Sequence, residues 1–181
     1  MHDYRVASRY AKSLLLLAVE RNLLEKVHGD IRMFSELCGD SRELVLLLQN
    51  PIVKHERKRA ILGKIFEGKV EGITMAFFDI ICRKNREKFL VDIAREFHHQ
   101  YNVHNGIESA TVITTTALTD DLRKEFERIL IEISGKKSVE IEEKIDTDLL
   151  GGFILKVGDQ QIDDSLSGKL NALRKQLIVN V

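Results

Sequence analysis

The sequence predicts an α+β protein, with a six-helix bundle over residues 1–105 followed by a small α/β domain over residues 106–181 in the order β-α-β-β-β-α. Three observations carry that expectation. Between Tyr4 and His104 apolar residues recur in steps of three and four, with breaks at Gly39, Asn50-Pro51 and Gly68. Beyond Gly106 the texture changes to a β-branched run from Ala110 to Thr116, which favours a strand. Closer to the C-terminus, Phe153 to Val157 is a short apolar run between Gly151-Gly152 and Gly158-Asp159, the pattern of a buried strand bounded by turns.

Each element follows from local pattern. Helix one, Tyr4 to Glu20, is apolar on nearly every side between Leu14 and Val19, which predicts a helix enclosed by others. Leu24, Val27, Ile31, Phe34 and Cys38 form the stripe of helix two, which Gly39 ends. Asp40 and Glu43 make a capping pair for a third helix through Leu44 to Leu48, stopped by Asn50 and the single proline, Pro51. Helix four carries Ile61, Leu62, Ile65 and Phe66 on one side and Lys54, Arg57, Lys58 and Arg59 at its start. Helix five, Val70 to Lys84, has two apolar faces, Ile73, Phe77, Ile80 and Ile81 on one and Met75, Phe78 and Cys82 on the other. Helix six, Glu87 to His104, presents Leu90, Ile93, Phe97 and Tyr101 before Asn105-Gly106 closes it. In the second domain Thr119 caps a helix with Leu122, Phe126, Ile129, Leu130 and Ile133 inward, and Gly135 ends it. Val139 to Ile145 alternates as a half-buried strand. Phe153 to Val157 pairs with Gln161 and Ile162 across the Gly158-Asp159 turn, and Leu166, Leu170, Leu173 and Leu177 line a last helix after Asp163-Asp164-Ser165.

Composition narrows the class. A chain of 181 residues with 44% hydrophobic and 31% charged content is large enough for packed cores and reads as a soluble protein. Its longest apolar run, Leu14 to Val19, is far short of the roughly 20 residues of a membrane span. The N-terminus carries no secretion signal, so a cytoplasmic location is expected. Cys38 and Cys82 stand far apart within helical patterns, as buried thiols of a reducing compartment. Net charge is zero, but residues 1–105 hold 18 Lys and Arg against 14 Asp and Glu while residues 106–181 hold 10 against 14, an asymmetry too weak for a nucleic-acid partner.

No catalytic or cofactor motif survives inspection. Gly135-Lys136-Lys137 lacks the glycine and hydroxyl of a phosphate loop, since those positions are Leu130 and Lys137. His98, His99 and His104 form no pair at i, i+4 and are expected to be solvated, not metal ligands. Asp120-Asp121, Glu142-Glu143 and Asp163-Asp164 are sequence neighbours that point different ways and cannot flank one bond. Two of these pairs stand at helix starts, where carboxylates are favoured. Helices one and five do carry more apolar residues than one core-facing stripe needs. Either both are central helices, or they leave a groove for an amphipathic helix of another protein, with Tyr10, Leu14, Phe77 and Ile80 as anchors.

Asp148-Leu149-Leu150-Gly151-Gly152-Phe153, Lys156-Val157-Gly158-Asp159, Ile162-Asp163 and Gly168-Lys169-Leu170 resemble the C-terminal signature of the delta subunit of F-type ATP synthases, whose mitochondrial relative is the oligomycin-sensitivity-conferring protein. Val6-Ala7-Ser8-Arg9-Tyr10-Ala11-Lys12 and Leu48-Gln49-Asn50-Pro51-Ile52 fit the same family, from which the chain departs at Asp164, often glycine, and Ser167, often arginine. The resemblance implies a non-catalytic stator subunit without cofactor, peripheral on the cytoplasmic face of the cell inner membrane and coupling ion-driven rotation to ATP synthesis. It implies that the N-terminal domain binds the N-terminal helices of the alpha subunits through helices one and five, with Ala7, Tyr10, Ala11 and Leu14 on the first and Ile73, Phe77, Ile80 and Ile81 on the fifth. The C-terminal domain would meet the b subunits of the peripheral stalk. On that view an aspartate at Phe77 or Ile80 abolishes alpha-peptide binding and leaves the bundle folded. A generic helical adaptor and an RNA-binding module are the alternatives.

Overall fold

A computed structural model describes residues 2–136, 138–158 and 160–179; Lys137, the turn residue Asp159 and the side chains of Leu173 and Leu177 lie outside that description. The chain is α+β, mostly helical with a small four-stranded mixed sheet, and divides into two compact units, Met1–Tyr101 and Asn102–Val181.

The first unit runs α1 (His2–Glu20), α2 (Leu24–Asp40), α3 (Arg42–Gln49), α4 (His55–Phe66), α5 (Gly72–Arg83), a 3-10 turn (Glu87–Phe89) and α6 (Leu90–Asn105), whose last turn belongs to the second unit. Phe34 of α2, Phe66 of α4 and Phe78 of α5 meet with ring centroids 5.3–5.9 Å apart, and all three are buried, so one aromatic cluster ties three helices together. Gly72 opens α5 rather than belonging to the turn before it. The start of α5 has no local side-chain cap; instead the buried Asp30 of α2 accepts from the Glu71 amide at 2.8 Å and from Thr74 Oγ1 at 2.6 Å. A carboxylate from another helix thus satisfies the exposed donors and fixes where α5 begins.

Three expectations are corrected here. Ser41, not Asp40, caps α3, because its hydroxyl accepts from the Leu44 amide while Asp40 is the last residue of α2. In α1 the run from Leu14 to Val19 is not enclosed: Leu14, Leu15 and Ala18 are buried, but Leu16 is 57% exposed and Leu17 40%. A helix at the edge of a core buries one stripe, whatever the composition of its other faces. Lys58, expected among the solvated basic residues at the start of α4, is buried. Its Nζ donates to Glu87 Oε1 at 2.7 Å and to the Leu48 carbonyl at 2.8 Å, joining α4 to the end of α3 and to the 3-10 turn.

The second unit continues β1 (Ile107–Thr114), α7 (Asp120–Ser134), β2 (Ser138–Ile145), a 3-10 turn (Thr147–Leu149), β3 (Phe153–Val157), β4 (Gln160–Asp163) and α8 (Leu166–Val179). The sheet order is β2-β1-β3-β4, with β1 and β2 parallel and the other pairs antiparallel. Thr119 caps α7 and Gly135 closes it at φ 63°, as their residue types predict. Ala110 and Val112 of β1, Leu155 of β3 and Phe126 and Leu130 of α7 form the buried core, whereas Leu122, Ile129 and Ile133, expected inward, are exposed because the sheet covers only one stripe of α7.

Candidate partner-binding surface

Tyr10 of α1 and Phe77 of α5 meet edge to face, with centroids 6.4 Å apart and planes at 71°, so these two helices adjoin. The eight sequence candidates then separate by depth. Ala7, Ala11, Leu14, Phe77 and Ile81 are at most 8% exposed and form part of the unit's own core; Tyr10 and Ile73 are half-buried; Ile80 is 50% exposed. Phe77→Asp would therefore place a charge in the core and unfold the unit, contrary to the expectation that the bundle survives it. Only Ile80 can be changed without touching the interior.

Helical spacing extends the accessible strip. Val6 and Leu17 stand four before and seven after Tyr10, on the same side of α1, while Ile73, Ala76 and Ile80 share the outer side of α5. Val6 is half-buried, Leu17 is 40% exposed and Ala76 is exposed, so the strip is apolar and open to solvent. Val6, Leu17 and Ala76 were missed from sequence because a helix apolar on several faces does not reveal which face the core takes. Arg86 was missed as well: its Nη1 donates to the Tyr10 hydroxyl at 2.6 Å and its guanidinium sits 5.4 Å from the centre of that ring.

Other candidate chemistry resolves into structure. His98 is not a solvated residue, since His28 Nε2 lies 3.0 Å from its Nδ1 and the His28 ring stacks on Tyr101 at 3.6 Å. Among the described residues no three His, Cys, Asp or Glu side chains converge as metal ligands, and no helix is long and apolar enough to cross a membrane. Burial pushes the Cys38 and Cys82 thiols up to about 11, which leaves them protonated and inert near neutral pH. In the second unit a cleft of about 400 Å³ opens between α7, the Thr114–Leu118 loop and Phe153, with Leu122, Phe126 and Ile129 on its wall.

The glycine-rich stretch before β3 is a tight crossing of two chain segments. Gly152 has φ 76°, and a Cβ on it would lie 3.0 Å from Ser165 Cα and closer still to the Asp164 carbonyl. The crossing is held by the Asp164 amide on the Phe153 carbonyl and the Leu166 amide on the Gly151 carbonyl, both at 3.0 Å. Asp163 Oδ1 accepts from the Ser165 hydroxyl at 2.6 Å and amide at 3.0 Å, bonds that hold its carboxyl below the usual value, and Ser165 Oγ accepts from the Gly168 amide. A Cβ at Gly168 would stand 2.8 Å from the Asp163 carboxylate oxygens, so a side chain there would push that carboxylate away from its Ser165 bonds.

One family match takes in that signature and spans both units: the family model for the ATP synthase delta (OSCP) subunit covers residues 6–177. The chain belongs to the ATP synthase delta (OSCP) subunit family. A protein of Cytophaga hutchinsonii called ATP synthase subunit delta is 40% identical over 181 residues, covering 100% of this chain and 98% of that one. Another of the same description from Chlorobaculum tepidum is 38% identical over 170 residues, 94% and 93% of the two chains. The fold is similar to that of a chain in the cryo-EM structure of the Toxoplasma gondii mitochondrial ATP synthase hexamer, with a TM-score of 0.77 at 22% identity over 95% of this chain and 97% of that one. Delta-family membership decides against an unrelated helical adaptor. Asp164 pairs with Lys169 at 2.7 Å and Ser167 Oγ lies 3.2 Å from Ser165 Oγ, so both side chains find partners within this turn and the start of α8.

Proposed function

We propose that this chain is the delta-type stator component of a rotary F-type ATP synthase, a non-catalytic link between the catalytic head and the peripheral stalk. The observation that carries this is kinship along the whole chain, 40% identity over 181 residues to a protein called ATP synthase subunit delta. Rotation of the central shaft exerts torque on the head, and a head free to turn with the shaft would deliver no work to nucleotide binding. The task calls for two firm grips and no reactive side chain. The six helices act as a bundle whose α1/α5 strip, centred on Tyr10, Ile73 and Ile80, receives the N-terminal helix of an alpha subunit, and the C-terminal unit meets the b subunits of the stalk. The complex holds the chain peripherally at the cytoplasmic face of the membrane, with the ion path in other subunits.

The test is Ile80→Asp in the full chain, titrated calorimetrically with a peptide of the alpha-subunit N-terminus. Ile80 keeps 50% of its surface in the free protein, so a partner that covers it gains about 1 kcal/mol from the remaining half. Aspartate forfeits that gain and adds the cost of burying a charge. The expected loss is at least about 30-fold, or about 2 kcal/mol, with the circular dichroism unchanged. Undiminished affinity in a folded variant refutes the strip as the binding surface.

A further inference from the structure

We infer that Lys84 and Arg86 form a cationic seat on the α1/α5 strip, just past the C-terminal end of α5 and beside Tyr10, which selects a helix carrying Asp or Glu where its apolar face meets that seat. This rests on the strip being a helix-binding surface and adds what chemistry the occupant must have. Lys84 stands four residues after Ile80 and eleven after Ile73, so it prolongs the outer stripe of α5 just past Arg83, the helix's last residue. Arg86 reaches the other side of the strip, where Tyr10 holds it through the hydroxyl and the ring. Both cations are exposed, and among the described residues neither has an acidic partner.

The neighbouring acids are already engaged. Asp79 is taken by Arg59 at 2.5 Å and by Arg83 at 3.6 Å, and Glu87 is buried against Lys58. Among the described residues, two positive charges therefore remain unpaired beside the apolar strip, where α5 ends. Tyr10 is a neutral acceptor and occupies one of the five guanidinium donors, so the rest of the Arg86 fork stays available to a carboxylate. The contact with the ring also restricts the arginine before the partner arrives, which lowers the ordering cost of the new bond. Placed at the rim of an apolar contact, the pair contributes register and association rate more than bulk affinity. Two cations continuous with an apolar stripe fit an amphipathic helix; a nucleic acid would call for a dense basic stripe with many phosphate contacts.

The experiment uses the full chain and a peptide of the alpha-subunit N-terminus in two forms, one native and one with its Asp and Glu changed to Asn and Gln. Lys84→Gln/Arg86→Gln should weaken the native peptide about tenfold, chiefly through a slower association rate, and the loss should shrink as salt rises. The amidated peptide should bind both proteins alike. Lys84→Glu paired with a peptide bearing lysine at the complementary position should recover affinity, which a merely misfolded variant could not do. Native binding that is unchanged by the double substitution, or equally reduced for both peptides, overturns the seat while leaving the strip intact. Absence of binding by either peptide to the unaltered chain overturns the helix-binding surface, and the seat with it.

Discussion

The buried pair between Lys58 and Glu87 makes a sharp stability test, because its two side chains are only 2% and 9% exposed and one oxygen, Glu87 Oε2, has no hydrogen-bond partner among the described residues. Lys58→Met keeps the length and packing of the aliphatic stem but removes the charge. Glu87 would then be left buried and uncompensated, and the Leu48 carbonyl would lose its donor. Breaking such a pair costs about 3–5 kcal/mol, a large share of the roughly 5–15 kcal/mol that holds a domain together. At a urea slope of about 2 kcal/mol/M the midpoint falls by about 1.5–2.5 M, followed by helical ellipticity, which the first unit dominates. Arg32→Met provides the contrast: Arg32 lies 2.9 Å from Glu36, yet both are more than 60% exposed, so the loss is about 1 kcal/mol or less. The double change Lys58→Met/Glu87→Leu should restore most of the stability, since an apolar pair of similar volume replaces the ion pair at little cost. A single variant that loses less than about 1 kcal/mol, or a double variant as unstable as the single, refutes the argument that the charge is what holds α3, α4 and the 3-10 turn together.

Gly152→Ala combines a left-handed backbone with a clash against the Asp164–Ser165 backbone and should destabilise the second unit by about 2 kcal/mol or more, read as earlier proteolysis of that unit with the first unit's helical signal retained. The Asp163 carboxyl is held below its unfolded value of 3.8, so its contribution is present above about pH 4 and is lost as pH falls through the lowered folded value. The second unit's melting temperature should drop below that pH, and Asp163→Asn should flatten this part of the dependence; an unchanged profile refutes it. Cys38 and Cys82, with thiols pushed up to about 11, should react with a thiol reagent at pH 8 only as fast as the first unit opens, and rapid modification of the native chain would contradict their burial.

Much of the fold was legible because it rests on short-range signals. The helices of the first unit follow from apolar spacing and from breaks at Pro51 and Gly68, and the second unit's strands from apolar and β-branched runs near glycines; Gly39, expected to end α2, lies inside it, and the helix runs on to Asp40. What sequence did not reveal depends on partners distant along the chain. Lys58 reads as a solvated helix start until Glu87, 29 residues on, arrives to bury it. The cap of α5 comes from Asp30, 41 residues before the amide it satisfies. His28 and His98 meet across 70 residues, which no ligand spacing could have signalled. The candidate surface was legible as a pair of helices, through the apolar surplus on α1 and α5, but not as individual residues.

That surplus has a physical reading once depth is known. On α1 the buried positions include Ala7, Ala11 and Ala18, small residues that let neighbouring helices approach closely, so the core draws little area from each turn. Larger apolar groups are displaced to the flank: Tyr10 lies partly open beside Phe77, Leu17 is 40% exposed, and Ile80 of α5 is half open. A helix stabilised only by its own unit would be expected to carry polar residues there. The chain instead keeps a strip that leaves apolar surface in water, next to two cations that have no acidic partner among the described residues. Side chains that contribute little to the free fold are the ones a partner could cover, so under the proposed reading Ile80→Asp should separate binding from folding whereas Phe77→Asp, placed in the core, cannot.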